Sequence, residues 1–226
     1  MLEPDDRRRN ITGPADDPEA SHGLREQRRR ETRRGIADAA IELFERQGVT
    51  ATTVEEIAEA AGIAPRTFYR HAVTKENALF VDDDSMERLI ARVRAVDGSA
   101  PEVRRTIEQA YLASIDAFDA EQPDTHTRIL RARRLVLAEP ALLSRALARD
   151  DEYVQALTTL VLHADDDPDA DEIQARAVVT AITTNVRLAY DEWARRAERG
   201  EKASVRHLYQ QVRSVLIDHF TADDVG

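Results

Sequence analysis

The sequence contains no cysteine, and this absence excludes disulfide bonds, thiolate metal sites and a cysteine nucleophile together. Aromatic residues make up only 5% of the chain, with a single tryptophan. No apolar run approaches the roughly 18 residues that a membrane-spanning helix needs, and the N-terminal segment MLEPDDRRRN lacks the apolar block of a signal peptide. We therefore expect a cytoplasmic protein that makes no membrane contact.

Sequence motifs of common enzyme classes are also missing. There is no G-x-S-x-G, no glycine-rich phosphate loop and no H-E-x-x-H, and the six histidines are scattered along the chain. The acidic clusters at 82–84 and 165–171 lack the glycine and the distal glutamate of an EF-hand, and they fit loops and helix N-termini better. We predict no catalysis, no cofactor and no metal site.

Abundant alanine, leucine, arginine and glutamate, with 42% apolar and 33% charged residues, indicate a helical globular protein. At 226 residues the chain is long enough to bury a substantial core. The apolar periodicity predicts an all-α fold of about nine helices. Residues 1–24, with three prolines and no periodicity, are interpreted as a disordered tail, followed by one small helical domain at 25–75 and a larger one at 76–226.

The formal net charge of −11 is unevenly distributed along the chain. Residues 25–76 carry ten basic and nine acidic side chains, a net charge of +1, whereas residues 77–226 carry a net charge of −9. Six arginines lie within residues 25–34, the densest positive stretch of the sequence. Because phosphate binding depends on the local field more than on total charge, the first of these regions is compatible with nucleic-acid binding.

Two short helical patterns joined by a tight turn lie within residues 53–75. Thr53 and Glu56 have the spacing of a capping box, and apolar residues then recur at i, i+3, i+4 and i+7. Gly62 can take the positive φ that ends the first helix, and Pro65 suits the first position of the second. This order is typical of a helix-turn-helix.

The second of these helices is predicted over Pro65–His71, with Phe68 as its one large apolar residue. A short outward face of arginine, threonine, tyrosine and histidine makes a poor core but a good surface for phosphates and base edges. For the tyrosine, packing between helices is the alternative. The predicted DNA contacts of this segment are Thr53, Arg66, Thr67, Tyr69, Arg70, His71 and Lys75.

The run GVTATTVEEIAEAAGIAPRTFYRHAVTKENAL, residues 48–79, resembles the DNA-binding signature of the TetR family of bacterial transcription regulators. It shares a Thr-Phe-Tyr-Arg-His recognition helix and a following Lys-Glu-x-x-Leu, but Ala72 stands where the family usually has an aromatic residue. The resemblance implies a helix-turn-helix domain at 25–75 that binds double-stranded DNA. It further implies a helical domain at 76–226 for ligand binding and dimerisation.

A long helix is predicted from about residue 24 to residue 47, where Gly48 stops it. Its apolar stripe faces the helix-turn-helix, and its first part is basic. Arg28, Arg29 and Arg33 are predicted to contact backbone phosphates or to reach the minor groove, as a basic arm does. The alternative is that this charged run is an ordinary solvated face.

Beyond the helix-turn-helix, Thr74 is predicted to cap a connecting helix that runs through Val93 and ends near residues 97–98. Five more helices follow, and the acidic loop at 165–171 separates the last two from the others. With no Gly/Ser linker between them, the two domains are expected to be joined rigidly. The predicted positions of the five helices are 101 onward, 123–138, 141–163, 171–200 and 204–220.

Polar side chains inside apolar stretches of the second domain are candidate ligand contacts, although each has a surface position or a structural hydrogen bond as its alternative. The segment THTRILRARRLVLAEPALLSRAL, residues 125–147, is similar to regulators that resemble the mycofactocin regulator, whose C-terminal domains are described as binding acyl-CoA-like ligands. Under that resemblance, arginines of the 128–134 cluster suit the phosphates of such a ligand. The candidate ligand-binding residues are His126, Arg131, Asn185, Tyr190 and Trp193.

The DNA-reading surface of a single chain is short. This predicts that two copies bind together, as a homodimer on a palindromic operator. The family resemblance places the dimer interface in the final two helices, which form a four-helix bundle with their symmetry mates. For each apolar residue of these helices, packing inside its own domain is the alternative. The candidate interface residues are Val178, Ile182, Val205, Leu208, Val212 and Leu216.

These predictions together describe a ligand-responsive transcription regulator, a repressor that a small-molecule effector releases from DNA. The effector is expected to shift the connecting helix and so change the spacing of the two recognition helices. The alternative is a DNA-architectural or helical scaffold protein without an effector. Such a protein binds many sequences with a similar salt dependence, whereas a regulator protects one short palindrome.

Overall fold

The computed structural model describes residues 18–164 and 171–221, with side chains from 23 to 164 and from 171 to 215. These residues form an all-helical fold, as predicted, and none of their helices has the length and apolarity that crossing a membrane requires. The helices are α1 (Pro18–Ala51), α2 (Val54–Ala60), α3 (Pro65–His71), α4 (Lys75–Ala78), α5 (Ser85–Arg94), α6 (Ala100–Asp119), α7 (Pro123–Ala138), α8 (Pro140–Leu162), α9 (Glu172–Glu198) and α10 (Val205–Thr221).

Helix α1 begins at Pro18, inside the stretch for which a disordered tail is predicted. Proline is tolerated at the first helical position, so the sequence can start a helix there. The rest of the predicted tail, residues 1–17, lies outside the described residues. At the other end, Gly48 has φ 79° and ψ 159° and interrupts the helix at the predicted place.

The prediction of one connecting helix from Thr74 to Val93 is wrong, because the chain leaves the helical path after Ala78 and resumes it at Ser85. The intervening aspartates explain the break. The Asp83 carboxylate accepts hydrogen bonds from the backbone N–H of Ser85 at 3.2 Å and from its hydroxyl at 2.5 Å. Short acidic side chains of this kind satisfy backbone groups outside a helix. The described residues form ten helices, in agreement with the predicted all-α fold of about nine.

Two hydrophobic cores organise the fold. The larger one is built from α5, α6, α8, α9 and α10 and includes Ile107, Leu157 and Val179. The smaller one belongs to α1–α4, but Leu135 and Leu142, from α7 and α8, are buried in it as well. The core of α1–α4 is therefore completed by residues of α7 and α8, although the sequence predicts a boundary at residue 75.

Helix α10 is fixed by a carboxylate from another helix. Asp119, at the end of α6, accepts hydrogen bonds from the Ser204 hydroxyl at 2.8 Å and from the backbone N–H groups of Val205 and Arg206 at 2.9 and 3.0 Å. This arrangement satisfies N–H groups at the start of α10 that the helix itself leaves without acceptors. It holds the last helix against α6 and, through the larger core, against α9.

Candidate nucleic-acid interface

The α2–α3 segment has the capping and turn geometry that its sequence predicts. The Thr53 hydroxyl accepts the Glu56 backbone N–H at 3.2 Å, and the Glu56 carboxylate accepts the Thr53 N–H at 2.8 Å, which completes the capping box. Gly62 ends α2 with φ 66°, and the Ile63 N–H returns to the Ala58 carbonyl at 2.9 Å. These local bonds fix the angle at which α3 leaves α2.

Helix α3 separates a buried anchor from an exposed reading face. Phe68 is completely buried in the smaller core, whereas its neighbour Tyr69 is 53% exposed and meets it edge-on at a ring distance of 5.7 Å. Arg66 and Arg70 are also exposed, and Thr67 lies half-buried between them. Because guanidinium, phenol and hydroxyl groups can all contact phosphates or base edges, this face has the chemistry of a recognition helix.

The arginines of α1 divide into two kinds. Arg28 and Arg29 are exposed, as the predicted phosphate contact requires. Arg33 is half-buried, and its Nε donates a hydrogen bond to the backbone carbonyl of Val81. Arg33 therefore links α1 to the loop after α4, and only the rest of its guanidinium is available for DNA.

His71, at the end of α3, lies in the electrostatic field of arginines from both α1 and α3. Burial, followed by the nearby cations Arg70, Arg29 and Arg33, lowers the pKa of His71 below its ordinary value. The basic part of α1 thus lies close enough to the end of α3 for their electrostatic fields to combine. A combined positive surface attracts an anionic backbone more strongly than α3 alone does.

Lys75 has a structural role that the sequence does not reveal. Its ammonium group donates to the backbone carbonyls of Thr50 and Thr52 at 3.2 and 2.9 Å. The Thr50 carbonyl lies in the last turn of α1 and the Thr52 carbonyl between α1 and α2, so Lys75 ties the start of α4 to the end of α1 and the following connection. An ammonium has three N–H donors, which leaves one for the predicted phosphate contact.

Arginines of the second domain form ion pairs with α1 and with the loop after α4. Arg128 of α7 bridges two carboxylates, Asp38 of α1 and Asp82 of the loop after α4. Arg131 of α7 pairs with Glu45 of α1, with its Nε 3.0 Å from one carboxylate oxygen, and it lowers the pKa of that carboxyl group. The sequence predicts a ligand contact at Arg131, whereas in the structure this arginine is paired with α1.

Helix α8 adds a second set of contacts to the same junction. Arg145 donates to the Asn77 side chain in α4. Arg149 lies 3.4 Å from the Asp83 carboxylate and 4.9 Å from the centre of the Phe80 ring. Charged and cation–π contacts from the second domain therefore stabilise the loop between α4 and α5.

The structure brings three of the five candidate ligand residues together. His126, Tyr190 and Trp193 surround Phe118, at ring distances of 4.5, 5.0 and 4.9 Å, and the His126 Nε2–H donates to the Phe118 carbonyl at 2.8 Å. Burial raises the pKa of the Tyr190 phenol. This aromatic cluster, defined by these four residues, joins α6, α7 and α9.

The other two candidate ligand residues lie elsewhere. Arg131 is engaged at the junction with α1, where its partner is Glu45, so the structure gives it a role in joining the domains. Asn185 is buried in α9 and lines two open grooves on the outer side of the second domain. Neither belongs to the aromatic cluster.

The candidate dimer residues differ in burial. Val205 and Leu208 are buried in the larger core of their own chain, which agrees with the alternative of packing inside the domain. Apolar periodicity cannot distinguish the inner face of a helix from an outer one. Val178 is exposed, Ile182 and Val212 are half-buried, and the side chain of Leu216 lies outside the described residues.

Comparisons with known proteins agree with this geometry. Residues 36–80 match the family model described as bacterial regulatory proteins, tetR family. The HTH-type transcriptional regulator TcmR of Streptomyces glaucescens is 29% identical over 187 residues, which cover 78% of this chain and 79% of that protein. The HTH-type transcriptional repressor KstR2 of Rhodococcus jostii is 34% identical over 113 residues, 47% of this chain and 49% of that protein.

A third relative bears on the resemblance found in residues 125–147. The putative mycofactocin biosynthesis transcriptional regulator MftR of Mycobacterium tuberculosis is 29% identical over 170 residues, which cover 74% of this chain and 82% of that protein. Together with the capped, glycine-turned α2–α3 unit and its exposed basic face, these matches show that residues 36–80 correspond to the DNA-binding segment of TetR-family regulators and that the chain as a whole is similar to transcription regulators of that kind.

Proposed function

We propose that this regulator is a repressor that binds a palindromic operator as a homodimer and is released by a small-molecule effector. The observation that carries the proposal is the division of α3 into a buried Phe68 and an exposed face of Arg66, Tyr69 and Arg70. Repression is further supported by the name of the Rhodococcus relative, a transcriptional repressor. We also propose that the protein works in the cytoplasm and acts by binding alone, as regulators do.

The effector site is proposed at the aromatic cluster of Phe118, His126, Tyr190 and Trp193. Aromatic and apolar walls with a few polar groups are typical of small-molecule sites. One helix, α7, carries both His126 of this cluster and Arg128 of the junction with α1. A ligand that displaces α7 therefore changes the position of α1 and of the loop after α4.

The effector class stays a prediction. The resemblance to mycofactocin-type regulators suggests an acyl-CoA-like molecule, but Arg128, Arg131 and Arg134 all have carboxylate partners within the chain. A phosphate-bearing ligand has to compete with these carboxylates for the arginines, which favours release of the junction upon binding. An effector without phosphates needs only the aromatic cluster.

Operator recognition is tested by nuclease protection on random genomic fragments of the source organism. The expected result is protection of one short palindrome, with a steep fall in affinity as salt is raised. As a matched control, Tyr69→Ala should lose protection while the thermal unfolding temperature stays unchanged. Equal binding to all fragments contradicts the proposal and favours the alternative of a DNA-architectural protein.

Effector binding is tested through the single tryptophan, Trp193, which lies in the proposed site. Candidate ligands, including acyl-CoAs, are added while the intrinsic fluorescence is recorded, and those that change it are then tested for release of operator DNA. A ligand that binds tightly but leaves operator affinity unchanged contradicts the coupling, because linkage requires reciprocal effects.

A further inference from the structure

The groove between α6, α9 and α10 contains a buried polar group that the rest of the chain does not satisfy. Asn185 lines this groove and is only 7% exposed, yet its Oδ1 accepts no hydrogen bond from any residue that the structure describes. Buried amide oxygens are almost always hydrogen-bonded, because leaving one without a donor destabilises the fold. The exception at Asn185 therefore indicates a donor from outside the chain.

The same groove, about 490 Å³ in volume, is positively charged. Its lining includes three arginines, Arg104 and Arg105 from α6 and Arg213 from α10, but only one carboxylate, Glu108. These side chains carry a net charge of +2, although residues 77–226 as a whole carry −9. A local charge of this sign, on an otherwise acidic domain, favours an anionic ligand.

The one carboxylate of the groove is already engaged within the chain. Glu108 accepts a hydrogen bond from the Tyr209 hydroxyl at 3.0 Å, and the Nε of Arg213 lies 3.1 Å from the same carboxylate oxygen. Arg104 and Arg105, in contrast, form no hydrogen bond or close ion pair with any residue in the described part of the chain. Two guanidinium groups are thus available for a carboxylate or another planar anion.

Contacts at two points fix how α6 and α9 align. The hydroxyls of Tyr111 and Thr183 are 3.3 Å apart, and the rings of Phe118 and Tyr190 have their centres 5.0 Å apart. The members of each pair are separated by 72 positions in the sequence. The two helices therefore run parallel, with each residue of α6 beside the residue of α9 that is 72 positions later.

This alignment gives the distance between the polar ends of the groove. Asn185 lies level with residue 113 of α6, and Arg105 precedes that level by eight residues. At a rise of about 1.5 Å per residue, the amide and the arginine are about 12 Å apart along the helix axis. The side chains of α9 that line the groove along this stretch are mainly apolar: Val178, Ala181 and Ile182.

We propose that the α6–α9–α10 groove binds an amphipathic organic acid whose ionised head group pairs with Arg104 and Arg105 and whose distal hydroxyl or amide N–H donates to Asn185. The apolar middle of such a molecule packs along α9. One ligand then satisfies both the unpaired arginines and the amide oxygen, as the few polar groups of a small-molecule site do. None of the four residues of the aromatic cluster lines this groove, so the site is additional to the proposed effector site.

A second copy of the chain is the competing occupant, because Val178 and Ile182 are also candidate dimer residues. The charge of the groove favours the organic acid. A second copy of this groove carries the same arginines and so does not supply their anion.

The test compares three probes of equal chain length by isothermal titration calorimetry with the full chain. ω-Hydroxydecanoate carries both the anion and the distal donor, decanoate lacks the hydroxyl, and the corresponding diol lacks the anion. We expect ω-hydroxydecanoate to bind about tenfold more tightly than decanoate, which is the effect of one hydrogen bond, and at least about tenfold more tightly than the diol.

Substitutions locate the bound probe. Asn185→Leu should weaken the binding of ω-hydroxydecanoate about tenfold and leave that of decanoate unchanged, because only the hydroxyl loses a partner. Arg104→Gln combined with Arg105→Gln should weaken both acids by about 10- to 100-fold and leave the diol unchanged. Arg92→Gln combined with Arg94→Gln removes the same charge from exposed positions of α5 and should leave the binding of all three probes unchanged.

Three results overturn the inference. The first is that neither acid binds the unmodified chain at millimolar concentration, or that Asn185→Leu weakens both acids equally. The second is that the acids change Trp193 fluorescence but bind the groove variants as tightly as the unmodified chain, which places them in the aromatic cluster. The third is that the groove variants alter self-association in sedimentation but not acid binding, which places a second copy in the groove. If Asn185→Leu does not fold, the paired arginine variants and the comparison of ω-hydroxydecanoate with decanoate decide.

Discussion

The junction between the DNA-binding helices and the second domain depends on Arg128, and its replacement gives a quantitative prediction. The Arg128 side chain is only 16% exposed, and its partners Asp82 and Asp38 are 20% and 42% exposed. Arg128→Met keeps most of the apolar stem but removes the cation, so both carboxylates lose their bridging partner. Asp38 retains a weak contact with Arg34 at 3.9 Å, whereas Asp82 is left without an ion-pair partner among the described residues.

The magnitude follows from the degree of burial. Removing one member of a fully buried ion pair costs about 3–5 kcal/mol, and the loss of an exposed pair costs about 0–1 kcal/mol. With between a sixth and two-fifths of these groups in solvent, we expect a loss of about 1–3 kcal/mol in the free energy of unfolding. The same α7 helix offers a control: Arg134 and Glu198 pair at 2.9 Å but are 55% and 43% exposed, so Arg134→Met should cost at most about 0.5 kcal/mol.

The assay is urea unfolding of both variants and the unmodified chain at one protein concentration, followed by circular dichroism and by Trp193 fluorescence. Circular dichroism reports on all helices, whereas Trp193 lies in the larger core. Arg128→Met should therefore give different urea midpoints by circular dichroism and by Trp193 fluorescence, because the smaller core loses its attachment to α7. Equal midpoints for Arg128→Met and Arg134→Met, with coincident probes, refute the reasoning. Arg128→Met should also reduce the effect of an effector on operator affinity.

Three further predictions concern α2 and α3. Phe68→Ala should destabilise the chain by about 3–5 kcal/mol in urea unfolding, whereas Tyr69→Ala should leave stability within about 0.5 kcal/mol but reduce operator affinity at least tenfold in an anisotropy titration. A stability loss at Tyr69 comparable to that at Phe68 contradicts the separation of anchor and reading face. Thr53→Ala should cost about 1 kcal/mol through the lost helix cap, with Thr53→Ser as the variant that retains it. The pKa of His71 is lowered in the free protein, so His71 should bind a proton when phosphates approach. Operator affinity should therefore rise as the pH is lowered from about 8 to about 6, and His71→Gln should flatten this pH dependence. If the pH dependence of operator affinity is the same in His71→Gln, His71 does not contact DNA.

Local chemistry explains which elements were predictable. The helix α3 and the bounds of α7 agree with their sequence predictions because a proline starts each of them and nearby breakers end them. The connecting helix was predicted wrongly for a local and a non-local reason. Asp83 accepts hydrogen bonds from Ser85 nearby, and Asp82 and Asp83 also bind Arg128 and Arg149, which are distant in sequence. These contacts stabilise a loop where apolar spacing favours a helix. A one-dimensional pattern contains no information about such partners.

The same distinction applies to the candidate sites. Exposed Arg66, Tyr69 and Arg70 follow from local spacing, since Phe68 is the only large apolar side chain of α3 and must point inward. The role of Arg131 does not follow from local spacing. An arginine in an amphipathic helix is compatible with a ligand, with solvent or with an acidic partner, and only the approach of α1 supplies Glu45.

By itself, then, the sequence determined the all-helical fold, the helix-turn-helix and the face of α3 that is free to read DNA, because caps, turns and 3.6-residue periodicity act over a few residues. Tertiary structure alone decided that Leu135 and Leu142 complete the DNA-binding core, that Val205 and Leu208 are buried, and that α7 joins the two domains by ion pairs. These outcomes depend on which helices meet. That choice is made by packing between segments far apart in the chain, where each apolar or charged stripe has several possible partners.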